Sequence, residues 1–193
     1  MRLAISRRTR ITWAACLALL ASSVVSAHEL SENRATLVLR DKTHLTLTLY
    51  VALPELMYRT LGTGKSFGAF LIQYSALDPT SFQRELLRAQ AQIEQGSHVF
   101  LEDGRPLRLG RWQWPDPAAA QAMLRERVMH ETVGGDVDSH GDPAEIRAEA
   151  VAKRPIHSVS VQFPALLQQM LIVAYQPTQA WVSPGARSAS IEF

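Results

Sequence analysis

Three histidines, His28, His130 and His140, have the placement best suited to chemistry, and that chemistry is metal binding. His28 becomes residue one of the mature chain if residues 1–27 are removed as an export signal. An N-terminal histidine offers its amine and one ring nitrogen to the same ion. A second histidine, from His44, His98 or His157, would then complete a T-shaped site of the kind that suits Cu(II). His130 is followed by Glu131, and His140 lies within Asp136-Val137-Asp138-Ser139-His140-Gly141-Asp142. Together they present mixed nitrogen and oxygen donors suited to copper or nickel. Against this stands a plainer expectation, a solvated loop following a helix.

Other chemistries fail at defined positions. Asp136 to Asp142 resembles the first half of an EF-hand calcium loop. His140, however, occupies an oxygen position, and Arg147 stands where the bidentate glutamate belongs. Gly62-Thr63-Gly64-Lys65-Ser66 resembles the tail of a phosphate-binding loop, but Arg59 replaces the leading glycine and the preceding residues look helical. There is no Gly-x-Ser-x-Gly turn to strain a nucleophilic serine. There is no His-Glu-x-x-His helix either, since His130-Glu131 runs into Thr132 and then a double glycine. Trp112, Trp114 and Trp181 have the aromatic surface for a sugar or peptide groove, though core packing accounts for the same pattern. The chain is therefore not expected to be an enzyme.

The first 27 residues set the address. Arg2, Arg7, Arg8 and Arg10 make a basic start, residues 11–25 an apolar run, and Val25-Ser26-Ala27 a small-residue cleavage site. The run is about 15 residues, short of the roughly 18–20 that span a bilayer. Cys16 lies too early in that run to be a lipidation site. The expected route is general secretion, giving a periplasmic or secreted protein with no membrane span in its mature chain. Losing the four signal arginines from 20 basic residues leaves 16 against 18 acidic ones, so the pI near 8.9 belongs to the precursor. Charges are mixed along the chain, with no basic block interleaved with aromatics, and no nucleic-acid partner is expected. The single cysteine leaves with the signal, so disulfides and thiolate metal sites are ruled out of the mature chain.

Ala27-His28-Glu29-Leu30-Ser31, running into Ala35-Thr36-Leu37-Val38-Leu39-Arg40, resembles the start of the exported domains of hydrogenase/urease accessory-type membrane proteins. The likeness covers those residues alone and leaves out the histidine-rich membrane part of that family. It implies a metal-related periplasmic setting and carries over no catalytic residue.

The elements that must position these residues follow from periodicity and punctuation. Residues 35–39 and 45–53 alternate apolar and polar across an Asp41-Lys42 turn, predicting a hairpin. Helices are expected over residues 54–61, from Ser66 with Phe67, Phe70, Leu71 and Tyr74 at helical spacing, and from Asp78-Pro79 to Gly96. In the last of these, Arg84, Glu85, Arg88 and Glu94 read as a solvated face. Strands are expected over 98–101 and 107–114, the latter with a bulge at Gly110. Asp116-Pro117 starts a further helix. Strands over 145–152, 158–163, 170–175, 180–182 and 188–193 complete the chain. The expected fold is a single α+β domain over residues 28–193, an antiparallel, β-sandwich-like sheet system with inserted helices. The first expectation for function is a non-enzymatic binding or accessory protein with an envelope protein partner. The second is a copper or nickel carrier using His28, with His130 and His140. The third is a hydrolase whose site the sequence does not name.

Overall fold

Strands β1 (Arg34–Arg40) and β2 (His44–Val51) form the expected hairpin. Ala35, Leu37 and Leu39 stand opposite Leu49, Leu47 and Leu45, so one face of the ribbon is apolar throughout. The turn is a primed one: Asp41 and Lys42 have φ of +50° and +58°, and the Thr43 amide donates to the Arg40 carbonyl at 3.1 Å. Such a turn matches the right-handed twist of the strands it joins. The computed structural model describes residues 33–133 and 142–177, all within one unit, Ser31–Phe193.

β6 (Ala144–Val151) lies antiparallel to β2 and continues the apolar face, pairing Ile146 with Leu49 and Ala150 with Leu45. β5 (Gly110–Gln113) pairs with β6, and β8 (Leu171–Tyr175) with β1, so the order is β5-β6-β2-β1-β8. A second sheet holds β4 (Pro106–Leu107), β3 (His98–Leu101) and β7 (Val159–Gln162) in that order. The α+β class is as expected, and the sheets are mostly antiparallel. One pairing departs from that pattern: β1 and β8 run parallel. A parallel neighbour needs a crossover rather than a tight turn. Residues 163–170 supply the last part of it, with a 3₁₀ turn at Ala165–Leu167. Asn33 Nδ2 donates to the Leu167 carbonyl at 2.8 Å and the Leu171 amide to the Asn33 carbonyl at 3.0 Å, which fixes the register.

The single strand expected over 107–114 is in fact two. Leu107 pairs with Val99 in the smaller sheet, while Gly110 and Gln113 pair with Glu149 and Arg147 in the larger. The bulge is real: three steps along β5 match two along β6, and Arg111 takes up the difference at φ +51°.

Four helices lie between the strands: α1 (Leu53–Leu61), α2 (Phe67–Ser75), α3 (Pro79–Gly96) and α4 (Pro117–Val133). Leu53, expected to end β2, instead begins α1, because Pro54 cannot donate to a sheet but suits the first helical turn. Ser66, Asp78 and Asp116 cap the other three, accepting from the amides of Ala69, Ser81 and Ala119 at 3.3, 3.0 and 2.9 Å. α2 ends against α4, where Gln121 Nε2 donates to the carbonyls of Ser75 and Leu77 at 3.3 and 2.8 Å. Those bonds satisfy the orphan acceptors of a helix end. Leu37, Leu47, Leu49 and Ile146 from the sheet join Met57, Phe70, Phe82, Leu86, Ile93 and Leu124 from the helices in one core. Glu94 does not share the solvated face expected of it: it is half-buried and accepts the Trp114 indole N–H at 2.9 Å. The strands expected over 180–182 and 188–193 lie outside the described residues.

Candidate functional site

His130 lies in the last turn of α4, half-exposed on the wall of a cavity of about 220 Å³. The cavity sits where the start of α1 meets the second half of α4, and Glu55, Glu126, Arg127 and Asp142 share its lining. Arg127 is the inward charge, with its side chain only 12% exposed. Its guanidinium lies 3.2 Å from Glu55, 3.5 Å from Glu131 and 5.8 Å from the centre of the Phe67 ring. A buried cation held between two carboxylates is first of all a clamp between α1 and α4. His130 and Asp142 stand at the two ends of the segment that carries His140.

His28 and His140 lie outside the described residues. Of the proposed partners for His28, His44 is exposed at the start of β2, with its Nδ1 at 3.2 Å from the Thr43 hydroxyl. His98 is exposed at the start of β3, its ring 6.0 Å from that of Phe100. His157 lies in the connection between β6 and β7. Among the described residues no group of three or more histidine, aspartate or glutamate side chains is arranged to hold a metal ion.

The remaining motifs are absorbed by the fold. Gly62 to Ser66 is the turn between α1 and α2, not a strand-to-helix loop. Lys65 is engaged there, donating to Gln73 Oε1 at 2.6 Å, and its carbonyl accepts from the Tyr58 hydroxyl at 2.8 Å. Arg147 sits in mid-β6, donating to Glu145 at 2.9 Å, far from any calcium-loop role. Trp112 and Trp114 pack against the core, and Trp181 lies outside the described residues. No protein family, curated protein or solved structure matches the chain.

One surface feature was not anticipated. β8 is Leu-Ile-Val-Ala-Tyr, apolar at every position, and every residue of it is exposed. Ile172 and Ala174 align with Ala35 and Leu37 on the core face of β1. Leu171, Val173 and Tyr175 align with Arg34, Thr36 and Val38 on the other. That second face is otherwise largely polar, with Thr46, Tyr50, Glu145 and Arg147 on neighbouring strands. An unbroken apolar run is the signature of a strand covered on both faces. Ile172 is nonetheless 47% exposed and Tyr175 53%. The unbroken run was the available signal in the sequence. Alternation alone does not say which strand ends up at an edge.

Proposed function

We infer that this chain is an exported, non-enzymatic binding protein of the cell envelope that docks on a protein partner through β8. The observation behind this reading is the mismatch between the composition of β8 and its exposure. Among the described residues the strand has β1 on one side and no neighbour on the other. An open edge offers unpaired main-chain donors and acceptors, and an extended apolar segment of a partner can pair with them. The signal-like start of the chain and its resemblance to exported accessory domains support the envelope setting.

The test uses a photo-crosslinking residue at Tyr175 in cells, with Leu87 on α3, 55% exposed, as control. The expected result is a discrete adduct with a second envelope protein from position 175 alone, abolished by Ile172→Lys. Crosslinks only to this chain's own residues, or none, overturn the reading.

A second reading is copper or nickel carriage by His28 with His130 and His140. It is favoured by the position of His130 and Asp142 on one cavity. Mass spectrometry of the exported protein and a Cu(II) titration test it. An N-terminus other than His28, or equal affinity in wild type, His28→Ala and His130→Ala, removes it.

A further inference from the structure

A groove of about 530 Å³ lies where the chain passes twice between the two sheets. One passage, residues 108–109, links β4 to β5, and the other, residues 152–158, links β6 to β7. Leu107 and Ile156, both buried, give the groove an apolar floor. The longer passage is pinned to the β1–β2 turn by main-chain bonds, Ala152 amide to Thr43 carbonyl at 2.9 Å and Ile156 amide to Lys42 carbonyl at 2.7 Å. The backbone bearing Lys153 and Arg154 is therefore held in place on both sides of those residues.

The lining of this groove carries an excess of positive charge. Asp103 neutralises Arg105 at 2.6 Å, and the pair holds the Asp103 carboxyl below its ordinary range. Arg108, Lys153 and Arg154 line the same groove and make no ion pair or side-chain hydrogen bond among the described residues. Glu102 is the one lining carboxylate left uncompensated there. The surplus is two positive charges, with His157 beside them, in a mature chain whose expected balance is acidic.

We propose that this groove binds a phosphomonoester, with Arg108, Lys153 and Arg154 as its anion contacts. A phosphate dianion matches the surplus of two charges, whereas a carboxylate leaves one over. Guanidinium groups present paired donors to phosphate oxygens, and the lysine adds a point charge. The volume falls within the roughly 300–1,000 Å³ of small-ligand sites. The apolar floor receives the ester's carbon skeleton. Such a group reaches the groove either as a soluble ester or as a phosphatidic acid headgroup on a membrane.

The whole exported protein is titrated with glycerol 3-phosphate by calorimetry. In parallel it is sedimented with phosphatidylcholine vesicles, with and without phosphatidic acid. Binding of the soluble ester, or of the phosphatidic acid vesicles alone, identifies the source. Either should weaken at least tenfold in R108Q/R154Q, the loss expected from about one charge-assisted contact, and should weaken with added salt. Lys153→Gln should weaken binding to a smaller degree and serves if the double variant fails to fold. R84Q/R88Q on α3 is the charge-matched control and should bind as wild type. Failure of both probes to bind, or equal affinity in R108Q/R154Q, Lys153→Gln and the control, overturns the proposal. Variants in β8 should leave this binding intact, which separates it from partner docking.

Discussion

At Gly62 the space a side chain would need is already filled. A β-carbon there would sit 2.6 Å from the Tyr58 carbonyl and press on its ring. The φ of −83° suits any residue, so crowding alone makes the requirement. The Tyr58 ring cannot retreat without leaving Phe67 and Phe70, whose centres lie 5.2 and 5.5 Å away. Gly62→Ala should therefore cost about 1–3 kcal/mol, the usual range for overpacking, read from urea unfolding. Acid should act through two other residues. The Ser81 side chain and amide hold the Asp78 carboxyl below its ordinary value of 3.8, and Arg105 does the same for Asp103. Both groups bind protons more weakly folded than unfolded. Their contribution to stability is complete above the ordinary carboxylate value and is lost as pH falls through the lowered one. Urea midpoints measured between roughly pH 5 and pH 2 should fall, and Asp78→Asn, which still accepts the cap bond, should flatten that fall.

At the scale of elements, those announced by chemistry of their own were legible in the sequence, and those defined by neighbours were not. α3 shows both its start and its face: Asp78-Pro79 opens it, and Phe82, Leu86, Ala89 and Ile93 bury one stripe. Leu86→Ala should accordingly cost about 2–5 kcal/mol in thermal or urea unfolding. The division of residues 107–114 between two sheets was hidden, because side chains alternate identically whichever strand lies alongside. The partner and direction of β8 were hidden for the same reason. At the candidate site, His130 stands out in the sequence by its residue type, but its neighbours Glu55 and Arg127 do not. Glu55 belongs to α1, and only the packing of α1 on α4 brings it there. β8 also makes a prediction at this scale: as an exposed strand, it should tolerate Ile172→Lys, at a position 47% exposed, within about 0.5 kcal/mol of wild-type stability. Loss of the in-cell adduct without loss of stability would separate docking from folding.

For the whole molecule, sheet and helices share one core, so unfolding should be a single event. Tryptophan fluorescence, measured in Trp181→Phe so that Trp112 and Trp114 against that core dominate it, should follow the same urea curve as far-ultraviolet circular dichroism. Separate midpoints would show that unfolding is not a single event. The bond from Asn33 to Leu167 bears on how the molecule reaches this state, because it closes across 134 residues. The β1–β2 hairpin can form early, but the other neighbour of β1 is the last described strand to be synthesised. Pairing across such distances is slow, because loop-closure entropy is lost before the contacts form, and domains that mix helix and sheet fold more slowly than helical bundles. A chain that emerges with its first described strand still waiting for its last described one stays threadable. If this protein is exported unfolded through a translocation channel, the strand order itself gives the export machinery time to act before folding closes the route.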